Sequence, residues 1–176
     1  MSRLIKQAKH SPKAFTKLYE LHVNAVYQYC AYRTHSTEEA EDLCSEVWES
    51  VLKHIQELES DHPTIFKGWL FTIARHCVYK HWKNRKSPDS LDETSCQIPS
   101  PEAGPAERSE AEESAAHLRE LVKALPQQQQ EAVSLRFFSG LRNKEIAAAL
   151  ELSEKTVASN LSRALDTLHL WLKKLQ

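Results

Sequence analysis

The chain has 176 residues, with 23 Lys and Arg against 24 Asp and Glu and a net charge of −1. Only three glycines occur, and the abundance of Leu, Ala, Glu, Lys and Gln favours helix over sheet. No apolar run approaches the roughly 20 residues that a membrane helix needs, and the first residues lack the apolar core of a signal peptide. The sequence therefore predicts a cytoplasmic, all-α protein that does not insert into a membrane.

Charge is distributed unevenly along the chain. Residues 65–86 carry six basic and no acidic residues, whereas residues 87–117 carry one basic and eight acidic residues. The first 64 residues have a net charge of −3, and the residues after 117 have a net charge of +3. Such asymmetry indicates that different parts of the chain meet partners of different charge.

Hydrophobic periodicity predicts three amphipathic helices in the N-terminal half, over residues 12–33, 37–58 and 65–85. Ser11 followed by Pro12 is typical of a helix start. Ser36 or Thr37 is predicted to cap the second helix, and Pro63 lies in the loop that ends it. Three such helices can bury a common core.

The third predicted helix, FKGWLFTIARHCVYKHWKNRK, is both basic and aromatic. A basic surface follows a phosphate backbone, and exposed aromatic rings stack on unpaired bases. Trp69, Leu70, Ile73 and Cys77 recur at helical spacing and are predicted to point into the core. The alternative interpretation of the six cations is an ordinary solvated face.

Residues 87–113 are rich in Pro, Ser and Glu and contain almost no large apolar residue. Such a segment buries too little surface to offset its chain entropy, so we predict a flexible acidic linker. It divides the chain into a domain over 1–86 and a second domain over 114–176. An inert tether is the simplest alternative role for the linker.

The C-terminal part is predicted to be helical over residues 126–138, 142–151 and 154–174, with Gly140 after the first of these. The last two have helix-turn-helix spacing, with Ser153 as the cap of the second helix. The predicted core is Ile146, Leu150, Val157 and Leu161. The predicted exposed face, which would contact base edges or phosphates, is Lys155, Thr156, Ser159, Asn160, Ser162 and Arg163. The alternative is an ordinary helical hairpin.

Two blocks of sequence resemble a known family. AEDLCSEVWESVLKHI followed by FKGWLFTIARHCVYKHW resembles region two of the extracytoplasmic-function (ECF) sigma factors, and LPQQQQEAVSLRFFSGLRNKEIAAALELSEKTVASNLSRAL resembles their region four. The resemblance implies a helical bundle and a helix-turn-helix domain joined by the linker. It also implies a transcription initiation factor whose partners are core RNA polymerase, a double-stranded −35 element, a melted −10 element and an anti-sigma factor.

The resemblance also implies roles for individual residues. Those matching the core-polymerase contact are Asp42, Glu46, Trp48 and Glu49. Those matching the −10 contact are Lys67, Arg75, His76, Lys80, Lys83 and Arg85, together with the base-capturing loop Glu59–Ile65. Those matching the −35 contact are Lys155, Thr156, Ser159, Asn160 and Arg163. His76 and Lys80 stand where the family usually has Asn and Asp, so a promoter sequence cannot be transferred.

Two other classes of function remain open at this point. A sigma-like decoy would bind an anti-sigma factor and never initiate transcription. A metal site could use Cys77 and His81, four residues apart on one helix, but a buried thiol and a phosphate-facing imidazole explain them more simply. Cys30 and Cys44 could also pair under oxidation. No nucleophile–base constellation is visible, so we expect no catalytic site, no cofactor and no metal.

Overall fold

The computed structural model describes residues 1–34, 36–85, 117–118 and 120–173, and the predicted linker 87–113 lies outside these residues. The first domain contains helices α1 (Ser2–Ala8), α2 (Pro12–Arg33), α3 (Thr37–His54) and α4 (Pro63–Arg85). The second contains α5 (Gln127–Val133), α6 (Asn143–Leu150) and α7 (Glu154–Lys173). A 3-10 turn, Ile55–Glu57, follows α3, and a π-helical turn, Ser134–Phe138, follows α5. The described residues contain no strand, and the all-α prediction is confirmed.

The predicted helix starts in the first domain agree with the side-chain caps. The Ser11 hydroxyl accepts a hydrogen bond from the Ala14 N–H at 3.4 Å, and the Ser36 hydroxyl accepts one from the Glu39 N–H at 3.1 Å. Ser36, rather than the next residue, is therefore the cap of α3. Pro63 is the first residue of α4, a position where the missing proline N–H costs nothing.

Two helical features were not predicted. The short helix α1 precedes the first predicted helix and buries Ile5 and Ala8 against the bundle. With seven residues it is too short to show a clear period. The helix predicted over 126–138 is wrong in detail, because Pro126 precedes α5 and the second half widens into the π-helical turn.

The helix-turn-helix prediction for the second domain is confirmed in its geometry. Glu151 ends α6 in the left-handed region at φ 56° and ψ 40°, a conformation that non-glycine residues adopt rarely. The Ser153 hydroxyl accepts a hydrogen bond from the Thr156 N–H at 3.0 Å and caps α7. Of the predicted core residues, Ile146, Val157 and Leu161 are buried. Leu150 is half-buried.

Buried side chains of both domains form one continuous hydrophobic cluster. Phe66, Leu70 and Phe71 of α4 belong to it, and so does Ile146 of α6. The two domains also meet where the ring of Tyr32 in α2 stacks on that of Phe138 in the π-helical turn, with centroids 4.4 Å apart. The second domain therefore packs on the first along the face of α4.

Gly68 lies where α6 crosses α4. A Cβ atom placed at Gly68 would lie 2.4 Å from the Ala148 Cβ and 3.3 Å from the Ala148 carbonyl carbon. Real Cβ atoms do not approach other atoms so closely, so any larger residue at Gly68 would force the two helices apart. A glycine inside a helix costs about 1 kcal/mol relative to alanine, and the close approach explains why one is present.

We predict that Gly68→Ala destabilises the packed chain although alanine is the better helix former. The added methyl overpacks the crossing, which typically costs about 1–3 kcal/mol. Ala148→Gly removes the opposing methyl, so the double variant should recover part of this loss, and the two changes should be coupled. The free energies of unfolding of the parent, the two single variants and the double variant, measured in urea by circular dichroism, give this coupling. A Gly68→Ala chain as stable as the parent, with no coupling to Ala148→Gly, would show that the helices do not cross here.

Candidate nucleic-acid and protein interfaces

The basic helix α4 presents part of its charge to solvent. His76, Lys80 and Lys83 are exposed, and Arg85 is the last residue of the helix. Tyr79 is the most exposed large hydrophobic side chain of this helix, at 69 %. This aromatic ring beside cations is the arrangement that binds unpaired bases by stacking and backbone charge.

Two of the cations predicted to contact DNA are instead engaged by α6. The Lys67 ammonium lies 3.2 Å from the Glu145 carboxylate at the start of α6. The Arg75 guanidinium donates a hydrogen bond of 2.8 Å to the Ala149 carbonyl at the other end of that helix. This carbonyl belongs to the last turn of α6, where helix carbonyls lack an intrahelical partner and carry partial negative charge. In this arrangement α6 covers the first half of the basic face.

The Lys67–Glu145 pair lies beside a buried histidine. His22 is buried, with its ring 5.4 Å from that of Phe66. Burial lowers the pKa of His22 to about 4, and the charge of Lys67 acts in the same direction. His22 is therefore neutral near pH 7, and the contact between the domains does not depend on its protonation in that range.

The prediction of which α4 residues point into the core is confirmed in part. Leu70 and Cys77 are buried as predicted, while Trp69 and Ile73 are half-buried. The remaining aromatic residues differ in burial. Phe66 and Phe71 are fully buried, Trp82 is half-buried, and Tyr79 is exposed.

An open groove of about 500 Å³ lies between α2 and α3. An aromatic cluster lines it: the Trp48 ring lies 4.9 Å from that of Tyr19 and 6.1 Å from that of Phe15, edge to face. Phe15 and Tyr19 were not predicted as site residues. Their spacing of four residues on α2 was visible in the sequence, but only the fold shows that they meet Trp48.

The residues predicted to bind the polymerase lie along this part of α3. Asp42 and Glu49 are exposed, and Glu49 lines the groove. Trp48 is only 6 % exposed and belongs to the floor of the groove. Glu46 accepts a hydrogen bond of 2.9 Å from Lys80. Two residues predicted to meet different partners, polymerase and DNA, thus pair with each other.

The predicted recognition face on α7 is exposed in part. Lys155 and Arg163 are exposed, and Thr156 and Ser159 are half-buried. Asn160 was predicted to be exposed, and this is wrong: it is 8 % exposed and faces the domain interior. Asn160 follows Val157 by three residues and precedes Ala164 by four, so it lies on the buried stripe of the helix.

A second polar contact joins the two domains. Arg33 of α2 lies 2.8 Å from the Glu131 carboxylate of α5, with both side chains largely shielded from water. Tyr29 donates a hydrogen bond of 3.1 Å to the same carboxylate. Removing one partner of a buried ion pair typically costs about 3–5 kcal/mol, because the other charge stays buried. Glu131 therefore ties the second domain to α2.

Three cysteines of the first domain are buried free thiols. Burial raises the pKa of Cys44 to about 11 and also raises the pKa values of Cys30 and Cys77, so the thiols stay protonated. Cys77 contacts the Ser50 hydroxyl at 4.0 Å. Within the described ranges no three His, Cys, Asp or Glu residues lie close enough to hold a metal ion. None of the described helices combines the length and the apolar composition that spanning a bilayer requires.

The fold is similar to that of two solved structures. The complex of CnrH with the cytosolic domain of CnrY aligns with a TM-score of 0.75 and 21 % identity, over 98 % of this chain and 97 % of that one. The sigma factor RpoE, crystallised with the anti-sigma factor NepR from Bartonella quintana, aligns with a TM-score of 0.72 and 23 % identity. This alignment covers 92 % of this chain and 98 % of RpoE. At these identities the likeness concerns the fold.

Sequence comparison identifies both domains. Residues 18–87 match the family described as Sigma-70 region 2, and residues 116–168 match Sigma-70, region 4. The ECF RNA polymerase sigma factor BldN of Streptomyces coelicolor is 33 % identical over 96 % of this chain, which spans 64 % of BldN. The ECF RNA polymerase sigma factor SigM of Bacillus subtilis is 30 % identical over 84 % of this chain and 88 % of SigM. The chain therefore belongs to the ECF RNA polymerase sigma factors.

Proposed function

We propose that this chain binds core RNA polymerase and directs promoter recognition, DNA melting and transcription initiation. The observation that carries the proposal is the presence of both Sigma-70 regions, in order, on the two helical domains. In this proposal the polymerase carries out the chemistry, and we expect no catalytic site in this chain. We place it in the cytoplasm, where its polymerase and DNA partners are found.

The proposed core-binding surface is the α2–α3 groove with its acidic rim. A basic helix of the polymerase would lie along Asp42 and Glu49, with Phe15, Tyr19 and Trp48 beneath it. An aromatic floor within a charged rim is the usual composition of an interface hot spot. The pairing of Glu46 with Lys80 makes Glu46 a weaker candidate than its two exposed neighbours.

We predict that Asp42→Arg weakens core binding, because it places a cation against a basic partner and disturbs no buried contact. Like-charge contacts at an interface cost several kcal/mol, so the loss of affinity should be about tenfold or more. Glu57→Arg is the matched control, since Glu57 is exposed and lies outside the groove. A competition titration against a labelled sigma factor measures both. Parent-like binding by Asp42→Arg would contradict the assignment.

The proposed −10 surface is the uncovered half of α4 with the loop before it. His76, Tyr79 and Lys83 are exposed there, and the tyrosine supplies a stacking surface for an unpaired base. Arg85, the last residue of α4, adds a further cation to this helix. Lys80 contributes once its pairing with Glu46 is released.

We predict that Lys83→Glu impairs opening of the promoter more than binding of the core enzyme. The substitution repels the phosphate backbone, and Lys83 forms no ion pair with any residue that the structure describes. Permanganate reactivity of thymines in the −10 region, with core affinity measured in parallel, tests this. Lys173→Glu, at the far end of α7, is the matched control. Normal thymine reactivity with Lys83→Glu would exclude a role for this face in melting.

The packing of α6 on α4 leads us to propose two states of the chain. In the closed state Lys67 and Arg75 are held by Glu145 and the Ala149 carbonyl, and only half of the −10 surface is free. In the initiating state the second domain separates from the first and both cations turn to DNA. The domain boundaries that fit this motion are those of the sequence, 1–86, 87–113 and 114–176.

The proposed −35 contact lies on α7. Lys155 and Arg163 are free to meet phosphates or base edges, with Thr156 and Ser159 beside them. Asn160 contributes to the interior of the domain instead. With so few cations, binding by this domain alone is weak, and tethering to the polymerase supplies effective concentration.

The chain also has the features of a partner for an anti-sigma factor. Its fold is that of RpoE, which was crystallised with NepR, and a protein that held the closed state would keep α4 covered. A decoy that binds an anti-sigma factor without initiating is the second candidate, favoured by that covered face. Run-off transcription with the chain and core polymerase separates the two, because a decoy gives no transcript.

A further inference from the structure

The N-terminal helices carry a concentrated positive charge that neither proposed DNA surface uses. The first 19 residues contain five Lys and Arg and one His, and no acidic residue. Five of these six side chains line one open groove of about 700 Å³ between α1 and α2. They are Arg3, Lys6, His10, Lys13 and Lys17, and we call this surface the N-terminal basic groove.

The cations of the N-terminal basic groove are exposed, and none of them forms an ion pair with a described residue. Unneutralised like charges repel one another and lower stability, so a folded domain gains nothing from gathering them. The two helices that carry these cations are anchored, because Ile5 of α1 and Ala14 of α2 are buried in the core. This anchoring keeps the charges together on one surface.

The position of the N-terminal basic groove relates it to the −10 surface. Lys9, between α1 and α2, does not line the groove and donates a hydrogen bond of 2.5 Å to the Leu58 carbonyl. Its ammonium also lies 3.1 Å from the Asp61 carboxylate, and its own carbonyl accepts a hydrogen bond from Gln56. These three contacts fasten the groove to the segment that leads into α4, which includes the start of the proposed base-capturing loop.

We propose that the N-terminal basic groove binds the phosphate backbone of promoter DNA beside the −10 element. The inference rests on the proposed position of the −10 element at the loop and α4. Lys13 and Lys17 stand one helical turn apart, about 6 Å along the axis. A DNA strand carries one phosphate per roughly 3.4 Å of helix axis, so the two lysines can meet phosphates one or two nucleotides apart. A continuous polyanion fits this row better than a single carboxylate.

The test uses reconstituted holoenzyme and the double variant Lys13→Gln/Lys17→Gln. Glutamine keeps the helix propensity of lysine and removes only the charge. Binding to a promoter fragment that spans the −10 element is measured by fluorescence anisotropy over a salt series. Each lost phosphate contact lowers the slope of log K against log salt by roughly 0.9 on duplex or 0.7 on single strand. The expected decrease is therefore about 1.4 to 1.8.

Two controls make the result specific. Lys123→Gln/Lys173→Gln removes the same charge from exposed positions of the second domain and should leave the slope nearly unchanged. A fragment that ends upstream of the −10 element should give the same slope with parent and groove variant. Circular dichroism checks that the groove variant is folded.

A salt slope equal to that of the parent on the −10 fragment would overturn the proposal. So would a groove variant that loses affinity for core polymerase while its DNA slope is unchanged, since the groove would then bind an acidic protein surface. Neither result would affect the proposed function, which Lys83→Glu tests on α4. If instead the groove variant lowers the slope while Lys83→Glu melts promoters normally, the assignment of α4 fails, and the placement of the groove beside the −10 element is overturned with it.

Discussion

The crossing of α6 and α4 at Gly68 is the contact on which the arrangement of the two domains depends. The absence of a side chain at Gly68 brings Ala148 against the α4 backbone. That closeness places Glu145 beside Lys67 and the Ala149 carbonyl beside Arg75. One helix of the helix-turn-helix domain therefore neutralises the start of the basic helix with its own carboxylate and its own C-terminal carbonyl. The groove proposed to bind the polymerase, on α2 and α3, lies outside this contact.

The contacts made by α4 and by the segment before it link three surfaces of the molecule: the N-terminal helices, the basic face of α4 and the acidic edge of α3. The segment before α4 is fastened to Lys9 and hence to the N-terminal helices, while α4 itself supports the second domain. An ion pair between α3 and α4 joins Glu46 to Lys80. Polymerase binding along α3 would act on this pair first, because Glu46 lies between Asp42 and Glu49 in the sequence of α3. Release of Lys80 and removal of α6 would then expose the basic face of α4 together.

Much of the fold was predictable from local signals, whereas the contacts between domains were not. Ser11 as a cap, Ser36 as one of two candidate caps and Gly140 as a helix end depend on neighbouring residues, and the structure agrees with these predictions. The roles of Lys67 and Arg75 depend on which distant helix packs against α4, and no periodicity encodes that. Asn160 was expected on the exposed face of α7 and is buried, because it lies on the same stripe of the helix as Val157 and Ala164. The helix α1 is too short to show a period of its own.

The distance between the two domains, with and without polymerase, tests the central claim that the free chain covers half of its −10 surface. Spin labels at Glu57→Cys and Lys173→Cys, in a Cys96→Ser background, report this distance by pulsed electron spin resonance, since Cys30, Cys44 and Cys77 are buried. The proposed pair of closed and initiating states predicts one narrow distribution for the free chain and a clear lengthening on binding core polymerase. A broad, long distribution in the free chain, or an unchanged narrow one in the holoenzyme, would contradict it.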